Sequence, residues 1–152
     1  MYPLKFKPIL KSTIWGGEKI IPFKQLDCKQ ELVGESWEIS DVPGDESVVA
    51  NGADAGKNLT QMVQEYKGAL VGESNYTRFG GKFPLLIKFI DARDDLSIQV
   101  HPDNEQAMKR QNSMGKTEMG YVIDNAKGKA HLRSGLSKEI TPQQYEEMIA
   151  DN

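Results

Sequence analysis

The sequence contains a single cysteine, Cys28, so the chain has no internal disulfide. A protein that relies on disulfide cross-links for its stability is therefore excluded, and a reducing compartment, the cytoplasm, is the expected location. The N-terminus also lacks the apolar segment and the small-residue cleavage site of a secretory signal. We expect a protein without a processed leader.

Long hydrophobic runs are missing as well. The longest apolar stretch, at residues 83–87 (FPLLI), falls far short of the roughly 20 residues that cross a bilayer, so no membrane segment is predicted. The 19 basic and 22 acidic residues give a net charge of -3 without a long block of either sign. This balance lacks the electrostatic footprint of a nucleic-acid-binding protein. A small molecule is the expected partner, and the oligomeric state stays open.

The chain of 152 residues, with 38% hydrophobic and 27% charged content, falls in the range of one globular domain with one core. Turn-forming residues break the first fifty positions into short extended segments, for example at residues 15–17 (WGG). Residues 35–40 alternate Trp37 and Ile39 with polar side chains. This alternation predicts a half-buried strand.

Helical spacing begins near Asn58. Apolar residues then recur at intervals of three and four: Leu59, Met62, Val63, Tyr66 and Leu70. The spacing predicts a helix over residues 58–70, with Asn58 or Thr60 available as the N-cap. Helix-forming composition predicts a second helix over residues 103–111, and Thr-Pro at residues 141–142 is typical of the start of a third.

Three further segments are predicted as strands. Residues 83–92 form a near-continuous apolar run, which is typical of a strand buried on both faces. Lys88 interrupts this run, and a lysine there either faces a partner or anion or lies on an edge strand with its ammonium reaching solvent. Residues 95–101 alternate strictly between apolar and polar side chains, and residues 116–124 also have strand character.

Gln99 and His101 lie two positions apart in the predicted strand, so their side chains leave the same face with backbones about 6.5 to 7 Å apart. An imidazole nitrogen and an amide oxygen are both suitable zinc ligands. Glu118 would add a carboxylate, and Lys116 would share its face. The same spacing is also typical of a solvated strand face, so the residues alone leave both interpretations open.

Five segments together resemble the signature of the type I mannose-6-phosphate isomerases. They are residues 83–92 (FPLLIKFIDA), 96–103 (LSIQVHPD), 115–119 (GKTEM), 15–17 (WGG) and 35–38 (ESWE). The resemblance extends over nearly the whole chain, and the combined pattern is highly specific. Position 120 departs from it, because several relatives have Trp where this chain has Gly120.

The resemblance implies a mainly β fold, a cupin-type jelly-roll β-sandwich with helical insertions, one of them around residues 58–70. Residues 1–152 would be the N-terminal part of such an isomerase, with the C-terminal half absent. The family's fourth ligand, a histidine, and its catalytic arginine have no counterpart before Asn152. His131 fits no family motif and is expected at the surface. An incomplete jelly roll leaves strand edges unpaired, so we expect weak or no activity from residues 1–152 alone.

The activity implied is the zinc-dependent interconversion of mannose 6-phosphate and fructose 6-phosphate through an enediol. The zinc ligands carried over from the family are Gln99, His101 and Glu118. The active-site residues carried over are Glu38 and Lys116 as catalytic groups and Trp15, Lys88 and Ser97 as substrate-binding groups. Core packing explains Trp15 equally well. A non-catalytic sugar-phosphate-binding cupin module and a metal-free form are the alternatives.

Overall fold

A computed structural model of the chain describes residues 1–125 and 130–151. The chain divides into two compact units, Met1–Gln99 and Val100–Asn152, in place of the single core expected from its length. The elements of the first unit are β1 (Ile9–Gly17), α1 (Ile20–Phe23), β2 (Val33–Ile39), β3 (Asp41–Val42), β4 (Asp45–Glu46), α2 (Leu59–Tyr66), α3 (Gly68–Val71), α4 (Glu73–Arg78) and β5 (Ile87–Ile90). The second unit contains α5 (Asn104–Gln111) and α6 (Pro142–Ala150). No helix among the described residues is long and apolar enough to cross a membrane.

The first unit is built on an antiparallel sheet in the order β1-β2-β5, with β3 and β4 forming a separate hairpin. The strand predicted over residues 35–40 is confirmed as β2, the central strand. Its Trp37 lies opposite Ile9 of β1 and Lys88 of β5. The register of β1 is interrupted after Lys11, which marks a bulge.

The strand predicted over residues 83–92 is shorter and more exposed than expected. It forms β5 at the edge of the described sheet, and Ile90 is 52% exposed. The prediction that this strand is buried on both faces is therefore wrong. An apolar strand is buried on both faces only where other layers cover both sides of the sheet. Lys88 lies on this edge strand, but its ammonium faces a partner, Glu35, at 2.7 Å instead of reaching solvent.

The Trp-Gly-Gly turn at the end of β1 is packed too closely for side chains. A Cβ at Gly16 would overlap the carbonyl of Leu32, and a Cβ at Gly17 would overlap the carboxylate of Asp91. The same carboxylate accepts a hydrogen bond of 2.6 Å from the backbone N–H of Lys19, the N-cap residue of α1. Gly16 therefore makes room for the Leu32 carbonyl, and Gly17 lets the Asp91 carboxylate pack against this turn beside α1.

The helix predicted over residues 58–70 is confirmed in part. Asn58 caps α2 through a capping box with Gln61, as expected for an Asn-x-x-Gln start. Lys67 then has φ 48° and ψ -130°, which ends α2 before α3 begins. Three buried apolar side chains of the first unit belong to α2, namely Leu59, Met62 and Val63. The others are Ile20, Val33 and Val49.

A buried carboxylate ties the chain start to α2. Asp54 accepts hydrogen bonds from Lys57 Nζ at 2.8 Å, Tyr66 at 3.1 Å and Tyr2 at 3.2 Å. The hydrogen bond from Lys57 is the largest of the effects that hold the pKa of Asp54 below its usual range. A buried charge is tolerated here because several donors surround it.

In the second unit the two predicted helices are confirmed. Asp103 caps α5, and Thr141 caps α6 with proline at the first helical position. The strands predicted over residues 95–101 and 116–124 are wrong, since both segments are irregular. Val100 is 84% and Met119 is 96% exposed. Alternation yields a strand only where a neighbour pairs with it and a layer covers its apolar face.

Candidate active site

One face of the β1-β2-β5 sheet joins a lysine to a carboxylate. Lys88 Nζ lies 2.7 Å from Glu35 Oε1, and the indole N–H of Trp37 donates to Glu35 Oε2 at 2.6 Å. The Lys88 and Glu35 side chains are only 20% and 15% exposed. Each carboxylate oxygen therefore has its own donor, and the charged pair is held in a defined geometry.

Lys11 continues this group across β1. Its Nζ lies 4.9 Å from the centroid of the Trp37 ring, a cation–π contact, and 2.5 Å from Asp45 Oδ1. In the register of the sheet, Lys11 is opposite Glu35. The resulting line of side chains, Asp45, Lys11, Trp37, Glu35 and Lys88, is called the Lys88 face below.

Glu38 lies on the opposite face of β2. Its Oε1 accepts hydrogen bonds from Lys24 Nζ and, at 2.7 Å, from the fully buried hydroxyl of Ser36. Residues two apart on a strand share a face, so Glu38 lies on the same face as Ser36, whereas Glu35 lies on the same face as Trp37. The structure therefore does not bring Glu38 to Lys88. Its catalytic role stays a prediction.

Glu35, Trp37 and Lys11 are absent from the set of site residues predicted from the sequence. Strand alternation within residues 35–38 (ESWE) could have identified Glu35 and Trp37, because it places them together on one face and Glu38 on the other. Lys11 has no comparable local signal, because its place beside Trp37 depends on the pairing of β1 with β2.

Trp15 packs against β2. A Cβ at Gly34 would lie 2.6 Å from Cζ3 of the Trp15 ring, so the glycine makes room for the indole. Because Gly34 and Ser36 share a face, the ring lies on the side of Ser36. This contact is the packing role considered for Trp15, and its substrate-binding role stays a prediction. Ser97 lies exposed in the irregular segment after β5, and its role is likewise a prediction.

His101, Glu118 and Lys116 come together in the second unit. His101 Nε2 lies 3.1 Å from Glu118 Oε2, and Lys116 Nζ lies 2.9 Å from Glu118 Oε1. The hydrogen bond from Lys116 is the main cause that lowers the pKa of Glu118, with a smaller contribution from His101. At neutral pH the Glu118 carboxylate is ionised, as a metal ligand must be.

Gly115 allows this close approach. A Cβ at position 115 would lie 2.6 Å from the backbone nitrogen of Asn104 at the start of α5. Gly115 N–H also donates to Asn104 Oδ1 at 3.0 Å, and Lys116 N–H donates to the carbonyl of Pro102 at 3.3 Å. These contacts place residues 116–118 beside His101 without a strand pairing.

The donor set fits zinc in part. His101 Nε2 and Glu118 Oε2 lie 3.1 Å apart, and an imidazole nitrogen and a carboxylate oxygen are both common zinc ligands. Across residues 1–125 and 130–151, no three His, Cys, Asp or Glu side chains form a metal-binding group. Gln99, the third expected ligand, is exposed and belongs to the first unit. The three-ligand set stays a prediction. His131 is exposed, as expected.

The chain is similar to known isomerases over most of its length. Residues 4–134 match the family model of the phosphomannose isomerase type I catalytic domain. The mannose-6-phosphate isomerase of Streptococcus mutans is 36% identical over 148 residues, which are 97% of this chain and 45% of that protein. The mannose-6-phosphate isomerase ManA of Bacillus subtilis is 40% identical over 123 residues, which are 80% of this chain and 37% of that protein.

Solved structures show the same relationship. The crystal structure of the mannose 6-phosphate isomerase from Bacillus subtilis superposes with a TM-score of 0.64 at 34% identity, covering 76% of this chain and 35% of that one. A mutant phosphomannose isomerase from Salmonella typhimurium, at 24% identity and a TM-score of 0.61, supports the fold alone. The chain spans less than half the length of the curated relatives it matches. On the match over residues 4–134, the chain belongs to the type I phosphomannose isomerase family.

Proposed function

We propose that this chain acts in the interconversion of mannose 6-phosphate and fructose 6-phosphate, an aldose–ketose isomerisation through an enediol, with a cupin jelly roll as its fold. The observation that carries the proposal is the contact of His101 with Glu118 at 3.1 Å inside the segment that matches the family. Family membership supports the substrate class. The single cysteine, Cys28, supports a cytoplasmic location.

His101 and Glu118 would hold zinc together with Gln99. When bound, zinc supplies a Lewis acid that polarises the sugar carbonyl. Lys116 lowers the pKa of Glu118 through their hydrogen bond and is proposed to stabilise negative charge that develops on the sugar oxygens.

The groups of the first unit have proposed roles of their own. The Lys88 ammonium would bind an anionic oxygen of the sugar phosphate, and Trp15 and Ser97 would contact the sugar. Proton transfer between C1 and C2 needs a base, for which the resemblance assigns Glu38.

The two histidines of the chain provide a matched test of the metal assignment. Replacing His101 with alanine removes a nitrogen ligand, so we expect zinc content after dialysis to fall to background and conversion of mannose 6-phosphate to be lost. His131→Ala is the control, because His131 is exposed and matches no motif, and it is expected to keep both properties.

Metal analysis and a coupled isomerase assay give separate readouts. Unchanged zinc content in His101→Ala would show that the ligand assignment is wrong. Conversion of mannose 6-phosphate by the zinc-loaded wild-type chain, even at a low rate, would exclude the alternative, a non-catalytic sugar-phosphate-binding module.

A further inference from the structure

We propose that Trp37 is a positioning residue of the Lys88 face: its indole N–H fixes Glu35 and, through Glu35, the ammonium of Lys88. The inference rests on the proposed function, because it assigns the fixed ammonium to an anionic oxygen of the sugar phosphate. Trp37 itself would act only through its two neighbours.

The geometry gives Glu35 two separate donors. The indole N–H of Trp37 donates to Oε2 at 2.6 Å, and Lys88 Nζ donates to Oε1 at 2.7 Å. A carboxylate with one donor can rotate about its last torsion, whereas one with a donor on each oxygen has a single favoured plane. The indole therefore determines where the second oxygen, and with it the Lys88 ammonium, is found.

Trp37 is well placed for this role because it is itself restrained. It lies on the central strand, with Ile9 and Lys88 as its cross-strand neighbours. The Lys11 ammonium, paired with Asp45, lies 4.9 Å over its ring. A Trp has only two side-chain torsions, so little motion remains once the ring is packed.

Lys88 needs such support. It lies on β5, which pairs only with β2 among the described strands, and lysine is a long, flexible side chain. An ammonium held in place before the ligand arrives avoids the entropy cost of ordering it during binding. Loss of the indole N–H should therefore weaken substrate binding more than it slows the chemical step.

Kinetics of the zinc-loaded full chain provide the first test. Trp37→Phe keeps a ring in the sheet and removes only the N–H donor and the second ring. We expect KM for mannose 6-phosphate to rise by about 10-fold while kcat changes by less than about 3-fold, since uniform binding is what is lost. Lys88→Met should raise KM at least as much, and the double variant should add little to it.

Nuclear magnetic resonance provides the second test and does not depend on Trp37→Phe folding. The chain has two tryptophans, so its proton–nitrogen spectrum contains two indole signals, and Trp37→Phe or Trp15→Phe assigns them. Titration with mannose 6-phosphate should shift the Trp37 signal saturably. In Lys88→Met, which keeps Trp37, the same titration should leave that signal in place.

The outcomes separate the two proposals. Saturable binding measured by calorimetry, together with an unmoved Trp37 signal or an unchanged KM in Trp37→Phe, overturns the positioning role and leaves the proposed function intact. No binding of mannose 6-phosphate to the zinc-loaded wild-type chain overturns the proposed function, and the positioning role with it.

Discussion

At the scale of single residues, two glutamates three positions apart have different surroundings. Glu35 lies with Trp37 and Lys88, and Glu38 lies on the other side of β2 with Lys24 and Ser36. The alternation of a strand causes this separation. Only one of the two carboxylates therefore contacts the lysine that is proposed to bind the substrate.

Replacing each glutamate with glutamine tests which one serves the reaction. We expect Glu38→Gln to lower kcat by about 100-fold, because general bases contribute on the order of 10²–10⁴-fold and the resemblance assigns this role to Glu38. Glu35→Gln is the matched change on the opposite face, and we expect it to raise KM instead, because Lys88 loses the charge of its partner. Steady-state kinetics with mannose 6-phosphate separate the two roles, and a larger loss of kcat in Glu35→Gln than in Glu38→Gln would overturn the assignment made from the resemblance.

At the scale of secondary structure, local signals predicted where three helices begin: capping residues for α2 and α6, and composition for α5. The starts of α1, α3 and α4, which have no side-chain cap, were not predicted. Asn58, Asp103 and Thr141 each accept the backbone N–H three residues later, as Asn, Asp and Thr do at N-caps. The end of α2 was not predictable in this way. Helical spacing continues to Leu70, but Lys67 adopts a positive φ that helical spacing does not reveal.

Lys67 has a backbone conformation that favours glycine. Lys67→Gly should raise the free energy of unfolding by about 1 kcal/mol, because removing Cβ relieves the strain at φ 48° by more than glycine costs in entropy. Lys109→Gly, at an exposed position in the last turn of α5, should instead lower it by about 0.5–1 kcal/mol. Thermal unfolding measures both, and destabilisation by Lys67→Gly would contradict the proposed strain.

Strand prediction succeeded only where a partner exists. The pattern over residues 35–40 corresponds to the central strand β2 (Val33–Ile39), while residues 95–101 and 116–124, with patterns as clear, are irregular. A strand pattern specifies which side chains share a face, but the hydrogen bonds come from another segment. The contact of His101 with Glu118 does not depend on the predicted strands, because the backbone contacts of Gly115 and Lys116 hold the two segments together.

At the scale of the whole molecule, burial is uneven. The fully or nearly buried apolar side chains of the described residues lie in the first unit, except for Ala107 in α5. Hydrophobic burial is the main source of folding free energy, so the first unit should resist local opening better than residues 100–151.

Amide hydrogen exchange on the full chain tests this difference. The amides of β2 and α2 are expected to exchange slowest, and those of residues 116–124 at least 100-fold faster, because the latter segment is irregular and exposed. Comparable protection of residues 116–124 and β2 would show that this segment is paired in a sheet in solution, as its sequence pattern predicted.

The sequence by itself determined the family, the starts of α2, α5 and α6 and the polar character of the site residues, because motifs and caps depend on residues close together in the chain. Only the tertiary structure decided that β5 lies at the edge of the sheet formed by the described residues and that Glu35, 53 positions from Lys88, is the partner of that lysine. The physical reason is the range of the interactions. The hydrogen bond of a helix N-cap joins residues three positions apart, whereas strand pairing and burial depend on which distant segments of the chain come into contact.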